Sequence, residues 1–345
     1  MTVSIVIPHR NRCVFLERLL QSIAAQRLPE GVTLEALVVD NGSEDSSVET
    51  ARQAGCRVLE LGRNEGVSRA LNRGIEVAAG QWIALVNNDV ELSPDWVARL
   101  LEALSAPAAG TANRLWFATG KTLNDQNRRF IDGAGDAICR GGASWRLGHD
   151  RADGPLFDAV RQTYFPSATA ALFRRDFFER VGGLEESFFA YLEDIDLGLR
   201  AAIEDLPGLY VPSAVAYHRG SATAGVWSGQ SVEWMTCHQL LLLAKFYPAG
   251  LMLRFCRPIL AAQLLWATLA VSRGRAAHWA RGFWRGLRGF SRLRRASESI
   301  RSRGERLGAV LCAMEAEIAR VQQATRWDTY WRWYFRLAPL AEKRA

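Results

Sequence analysis

The first hundred residues alternate between short apolar runs and amphipathic stretches. "VSIVIP" (3–8) is a β-branched run ending at a proline, the pattern of a buried strand. "VFLERLLQSIAAQ" (14–26) sets Phe15, Leu19, Leu20 and Ile23 on one helical face. "LEALVVD" (34–40) predicts a second strand, followed by "DNGSEDSS", a polar turn able to cap the next helix. "CRVLEL" (56–61) predicts a third strand, "GVSRALNRGIEVAA" (66–79) a helix and "QWIALVN" (81–87) a fourth strand. Strands alternating with helices at this pitch predict a parallel sheet covered on both faces. Ligands of such sheets bind beyond the carboxyl ends of the strands, and Asp40 and Asp89 fall at two such ends. Residues 106–165 show little periodicity and predict loops and short strands over a site. From 166 to 220 the expected order is strand (168–173), helix (175–181), helix (190–204) and the strand "LYVPSAVAYH"; after 230 the pattern is helical.

Length and charge divide this picture. A chain of 345 residues is too long for one simple core. With 49% hydrophobic and 23% charged residues, wholesale disorder is excluded. Residues 251–345 hold 19 Lys and Arg against 6 Asp and Glu, a net +13, while residues 1–250 hold 24 against 30, a net −6. The expected domains are therefore 1–230, with halves 1–105 and 106–230, and a basic amphipathic helical region, 231–345. The six cysteines are scattered without a CxxC pair, which fits reduced thiols better than a disulfide framework or a zinc site. No signal peptide is expected in "MTVSIVIPHR". No apolar run reaches the roughly 18–20 residues of a membrane-spanning helix; "PILAAQLLWATLAV" (258–271) comes nearest.

Four constellations carry candidate chemistry. Asp40 either accepts hydrogen bonds from a nucleobase or ribose, or caps the helix after it. In "RNEGVSRALNRGIEVAAGQWIALVNNDVEL" (63–92), Asn64 and Gly66 open a helix whose amides would face an anion. Asp89 after Asn87 and Asn88 suits a divalent cation on a diphosphate, or a strand-terminating turn. In "FFAYLEDIDLGLRAA" (188–202), the spacing pairs Asp196 with Arg200 and leaves Glu193 and Asp194 near a helix start. The helix dipole favours ionised carboxylates there, and an ionised one can deprotonate a hydroxyl. His218 ends a strand before a Gly/Ser-rich loop, as a structural histidine or as a ligand beside Asp89.

The ordered set "VSIVIPHRNR", "VVDNGSEDSS", "NEGVSRALNRG", "LVNNDV", "ALFRRDFFERVGGLEESFFAYLEDIDLGLRA" and "YVPSAVAYHRGS" resembles the family 2 glycosyltransferases over roughly residues 2–225. The resemblance implies an α/β fold of the GT-A (nucleotide-diphospho-sugar transferase) type, a mostly parallel sheet flanked by helices, with a C-terminal helical region. It implies inverting transfer from a nucleotide-diphosphate sugar. The loop "IDGAGD" (131–136) and the helical tail make it similar to the rhamnosyltransferase branch. dTDP-rhamnose is then the first expected donor, with UDP-galactofuranose, UDP-GlcNAc or UDP-glucose as alternatives. The expected acceptor is a cell-surface glycan or lipid-linked saccharide.

By position, the resemblance implies that Asp40 binds the nucleobase, with Pro8 and Arg10 lining its pocket. Asn64, Arg69, Asn87, Asn88 and Asp136 would lie on the donor. Asp89 and His218 would hold Mg²⁺ or Mn²⁺, and Asp194 would be the catalytic base. Glu193, Tyr191 and Trp145 would face the acceptor. Asn87 departs from the family, where many members carry Asp, so one anionic contact is lost. The tail mixes apolar runs with Arg and Trp, which suits an anionic membrane surface or a homo-oligomer through the C-terminal helices. The expected location is cytoplasmic, peripheral on the inner face of the cell membrane. An oxidoreductase is disfavoured, because "PHRNR" stands where GxGxxG should follow the first strand. Nucleic acid is not an expected partner, because the tail's arginines interleave with apolar runs rather than forming a solvated stripe. A nucleotide-sugar-binding scaffold without activity is the remaining alternative.

Overall fold

The computed structural model describes residues 1–105, 114–220, 227–303 and 306–340. The chain divides into two compact units, one of Met1–Gly135 with Gly148–Ala222, the other of Asp136–Leu147 with Thr223–Ala345.

The first unit opens with β1 (Thr2–His9), α1 (Cys13–Ala24), β2 (Thr33–Asp40), α2 (Ser47–Gln53), β3 (Arg57–Glu60), α3 (Val67–Val77) and β4 (Trp82–Val86). Next come β5 (Val90–Leu92), α4 (Trp96–Ser105), β6 (Phe117–Asn124) and β7 (Phe130–Gly133). The hairpin strands β8 (Asp136–Ile138) and β9 (Ser144–Arg146) belong to the second unit. The first unit resumes with β10 (Arg151–Ala152), β11 (Arg161–Thr163), β12 (Ala170–Arg174), α5 (Arg175–Val181), α6 (Glu193–Ile203) and β13 (Gly208–His218).

Among the described residues, eleven strands form one sheet, its main path running β10-β7-β6-β12-β4-β1-β2-β3. The β-branched runs β1, β2, β3 and β4 pair in parallel, because helices return the chain between them. The sheet is mixed beyond that point. β12 runs antiparallel to β4 and β6, and β13 runs parallel to β6 but antiparallel to β5 and β11. Both faces of the parallel part are covered. One side buries Leu16, Leu19, Leu20 and Ile23 of α1, and the other buries Ala70 and Leu71 of α3. The α1 stripe therefore includes Leu16 in place of the expected Phe15, which stays half-buried. Gly74 lets α3 approach the sheet, since a Cβ there would stand 2.2 Å from Val6 Cγ1.

The second unit joins the β8–β9 hairpin to α7 (Gly229–Phe246), α8 (Ala249–Arg254), α9 (Cys256–Ser272), α10 (Ala276–Ala296), α11 (Glu298–Ser302), α12 (Leu307–Ala324) and α13 (Thr329–Leu337). α10 packs along α7, and Gly282 permits it, since a Cβ there would meet Glu233 O at 2.3 Å. Glu233 answers with ion pairs to Arg281 (3.1 Å) and Arg285 (2.7 Å). Glu315 of α12 is fully buried and takes hydrogen bonds from the Arg140 backbone N–H (3.2 Å), the Arg140 guanidinium and the Tyr334 hydroxyl. Among the described residues, no helix is long and apolar enough to cross a membrane. All six cysteines are free.

Candidate active site

The parallel register sets His9 opposite Asp40 at the carboxyl ends of β1 and β2. Asp40 is 3% exposed, and its carboxylate accepts the Ser43 N–H at 3.1 Å, tightening the turn after β2. Pro8 is half-buried and Arg10 exposed beside it. The Asn88 amide, at the end of β4, donates to His9 Nδ1 at 2.9 Å. The His9 proton therefore sits on Nε2, which is buried and has no hydrogen-bond partner among the described residues. Burial pulls the His9 pKa down to about 4, against the opposing pull of Asp40 and then Asp45.

This depression has a measurable consequence. The unfolded chain takes up a proton on this imidazole near pH 6.5, the folded chain only near 4. Stability is therefore expected to fall as pH drops from 6.5 to 4, by about 3 kcal/mol at most from this group. Denaturant titrations at pH 7 and pH 4.5 check it: the pH-dependent loss should shrink by that amount in His9→Gln.

Behind Asp40, Asn41 ties down the loop that opens α3. Its amide donates to Asn64 Oδ1 and Gly66 O, both at 3.1 Å, and its Oδ1 accepts the Glu65 N–H at 2.7 Å. The expectation that the α3 amides face an anion is narrowed here. The Gly66 N–H goes to Asn64 Oδ1 (3.2 Å) and the Val67 N–H to Phe189 O (2.8 Å), so these two amides are already spent. Ser68 adds a hydroxyl bond to Phe188 O at 2.6 Å. The α3 start is thus clasped to the segment that leads into α6. Arg69 turns to Glu186 (3.0 Å) and Glu65 (3.8 Å) on the surface.

α6 begins at Glu193, after Tyr191 and Leu192 both adopt φ near +70°. Two consecutive left-handed residues without glycine are strained, at roughly 1 kcal/mol or more each. Asp194 lies in the first turn, half-buried, its Oδ1 accepting the Ile195 N–H at 2.8 Å. Glu193 beside it is buried. The pairing of Asp196 with Arg200 expected from their spacing is present, at 2.8 Å. Arg200 also donates to Val181 O and Gly182 O, so the pair holds α6 against the end of α5.

Asp89 follows Asn88 and meets the end of β13. Its Oδ1 lies 3.2 Å from His218 Nε2, and the other ring nitrogen of His218 lies 2.9 Å from Asp132 Oδ2. All three side chains are less than a tenth exposed. Burial alone would lower the His218 pKa; the charge and hydrogen bond of Asp132, then of Asp89, raise it to about 9. Burial pushes the Asp89 carboxyl up, and the hydrogen bond and charge of His218 outweigh it to hold the pKa below the ordinary value. Asp89 opens onto a cleft lined by Phe15, Arg18, Asp125, Tyr217 and Arg219. Arg18 bridges Asp125 and Glu91 across that cleft, each at 3.1 Å.

The structure thus brings together Asp40 and Asn88 around His9, Asn64 around Asn41, and Asp89 with His218. Asn87, half-buried, donates its backbone N–H to Thr169 O at 3.0 Å. Asp136 and Trp145 belong instead to the hairpin of the second unit. Asp136 lies 3.8 Å from Arg146, and Trp145 packs against Trp331, centroids 6.2 Å apart. Sequence reasoning missed three residues here. His9 and Asp132 stood inside quoted motifs without a role, and Asn41 carries no signal beyond following Asp40.

The first unit is thus a parallel sheet with acidic and amide side chains at its strand ends, extended by antiparallel strands that return a histidine to the same edge. Residues 4–182 match the model of glycosyl transferase family 2, so the chain belongs to that family, has the GT-A fold and is a glycosyltransferase. The N-acetylglucosaminyl-diphospho-decaprenol L-rhamnosyltransferase of Mycobacterium tuberculosis (strain ATCC 25618 / H37Rv) is 33% identical over 236 residues, 61% of this chain and 73% of that one. The fold is similar to that of a Pyrobaculum calidifontis mannosyltransferase solved with GDP-Man and Mn²⁺ (TM-score 0.51, 16% identity, 95% of this chain and 87% of that one). It is also similar to that of GalNAc-T7 solved with UDP, GalNAc and Mn²⁺ (TM-score 0.57, 15% identity, 85% and 57%).

Proposed function

We propose that the protein is an inverting sugar transferase that moves rhamnose from dTDP-rhamnose to a hydroxyl of a lipid-linked or cell-surface glycan. The observation that carries this reading is the clasp between the α3 start and the segment before α6: Val67 N–H to Phe189 O and Ser68 hydroxyl to Phe188 O. It ties the loop of Asn64, on the nucleotide side, to the segment that presents Asp194. The rhamnosyl group and the lipid-linked acceptor are carried over from the name of the mycobacterial relative.

In this reading Asp40, with Pro8 and Arg10, holds the nucleobase. Asn64, Arg69, Asn87 and Asn88 complete the donor side, and Tyr191 and Glu193 the acceptor side. Asp194 takes the acceptor proton as its oxygen attacks the anomeric carbon opposite the nucleotide, so one displacement inverts that centre. The donor set of Asp89 and His218 suits a divalent cation. Adjacent ligands at about 2.1 Å from an octahedral ion stand about 3 Å apart, and Asp89 Oδ1 and His218 Nε2 are 3.2 Å apart. When bound there, Mg²⁺ or Mn²⁺ would supply charge neutralisation for the departing diphosphate. The carboxylate of Asp89 suits Mg²⁺ or Mn²⁺, and Mn²⁺ is the ion present with both structural neighbours.

The test is a panel of dTDP-rhamnose, UDP-galactofuranose, UDP-GlcNAc and UDP-glucose, read by released nucleoside diphosphate with a lipid-diphosphate-linked sugar acceptor. Turnover with dTDP-rhamnose above the others supports the reading. Turnover with a UDP-sugar alone replaces the donor, and none with any donor leaves a binding scaffold.

The second unit supports a peripheral position on the inner face of the membrane. α8, α9 and α13 contain no acidic residue. Tyr330 hydroxyl donates to Ala262 O, and Arg257 Nε to Leu337 O, so α13 lies antiparallel along α9. Leu260 and Leu264 of α9 and Trp333 and Leu337 of α13 are exposed, with Arg254, Arg257, Arg332 and Arg336 exposed among them. Exposed Leu and Trp among arginines suit the interface of an anionic bilayer. The chain is expected to float with anionic vesicles and not with neutral ones. Leu260→Glu/Leu264→Glu should cut vesicle binding about tenfold or more with melting unchanged. If this face joins two copies instead, the double variant halves the mass in light scattering and wild type ignores vesicles.

A further inference from the structure

We infer that Asp132 is a positioning residue for the metal side of the site, holding the ring of His218 so that Nε2 points toward Asp89. This rests on the proposed pairing of Asp89 and His218 around a divalent cation.

The inference starts from the strands. β7 and β13 flank β6 on opposite sides, so Asp132 and His218 reach each other across β6. Along the β6–β7 ladder, Thr122 pairs with Gly133 and Leu123 with Ile131. Asp132 is therefore the extra residue of a β-bulge. A bulge breaks the alternation of side chains and re-aims one of them. Here the re-aimed carboxylate is 3% exposed and meets His218 Nδ1 at 2.9 Å. β13 is also irregular: between Val211 and Val215 its register against β6 shifts, which changes the phase of the strand before His218. Gly120 marks that place, since a Cβ there would stand 2.0 Å from Ala214 O. Both strands that bring the pair together are thus locally distorted.

The chemistry follows from the contact. A carboxylate accepts and does not donate, so Nδ1 of His218 donates to Asp132 and, with no metal bound, Nε2 donates to Asp89. A divalent cation beside Asp89 would take the place of the Nε2 proton, while Asp132 keeps the proton on Nδ1 and the ring in place. A carboxylate that orients a metal-binding imidazole in this way typically sets metal affinity by 10–100-fold.

The test measures Mn²⁺ binding to the full chain by the electron paramagnetic resonance signal of free Mn²⁺, alone and with dTDP or UDP. Asp132→Asn keeps an acceptor for Nδ1 without the charge and should weaken Mn²⁺ about tenfold; Asp132→Ala should weaken it about a hundredfold. Thermal melting and metal-free nucleotide binding should stay near wild type in the Asn variant, which separates positioning from general damage. If wild type and Asp132→Ala bind Mn²⁺ equally while His218→Ala does not, the positioning role is overturned and the metal pair stands. If wild type binds no Mn²⁺ even with nucleotide, the metal pair itself is overturned, and the role of Asp132 with it.

Discussion

Asp194→Asn is expected to lower turnover by about 100-fold or more while donor affinity stays within about twofold of wild type. The substitution preserves size and keeps an oxygen able to accept the Ile195 N–H, so the α6 start should hold. It removes the group proposed to take the acceptor proton. Asp194 alone suits that role among the three acids. Asp196 is fully buried and committed to Arg200, and Glu193 is buried beside the turn. Asp194 is half-buried, and the consecutive left-handed residues Tyr191 and Leu192 place it at the head of the helix. Steady-state rates with increasing acceptor, together with calorimetric titration of the donor, measure the two quantities separately. Full transfer by the Asn variant would remove Asp194 as the base. Equal loss of donor binding would mean that it holds the nucleotide instead.

The second large effect concerns the fold of the helical unit. Glu315→Ala is expected to destabilise it by about 3–5 kcal/mol, because the substitution strands a buried guanidinium. Arg140 is 7% exposed, and its backbone N–H, guanidinium and carbonyl are bound by Glu315, Pro339 O and the Tyr247 hydroxyl. Burial raises the Glu315 carboxyl above its ordinary range, against the opposing effects of Tyr334 and Arg140. Glu315→Gln, which is neutral and still accepts hydrogen bonds, should cost less than Ala. Arg140→Met with Glu315→Leu removes both charges and should recover most of the loss. A fall of about 10 °C in melting for Glu315→Ala corresponds to this magnitude. An unchanged melting curve would show that the pair contributes nothing to stability.

Much of the first unit was legible in the pattern of apolar residues. Runs such as "VSIVIP" and "QWIALVN" must be buried on both faces, so they read as parallel strands before any contact is known. Asp40 and Asp89 were legible because the carboxyl end of a strand is also its end in sequence. The Asp196–Arg200 pair was legible because a four-residue spacing on a helix is a contact. The antiparallel half was harder to read. β5 and β7 through β11 are two to four residues long, too short for periodicity to identify.

What lay outside the sequence was set by registers and bulges. The spacing within "IDGAGD" gives no reason to prefer Asp132 over Asp136. A single bulge aims Asp132 at His218, and the packing of the hairpin sends Asp136 and Trp145 to the second unit. The α3 amides looked open to an anion because nothing in "NEGVSRA" names their acceptor. The carbonyl of Phe189, more than a hundred residues later, takes one of them. The sequence by itself therefore determined the parallel half of the sheet, the family and the strand-end acids, since these follow from local periodicity and order along the chain. Only the tertiary structure decided which carboxylate backs His218, which amides are spent and which nitrogen of His9 keeps its proton. Each of these depends on a partner brought near by strand register and side-chain direction, which local sequence does not encode.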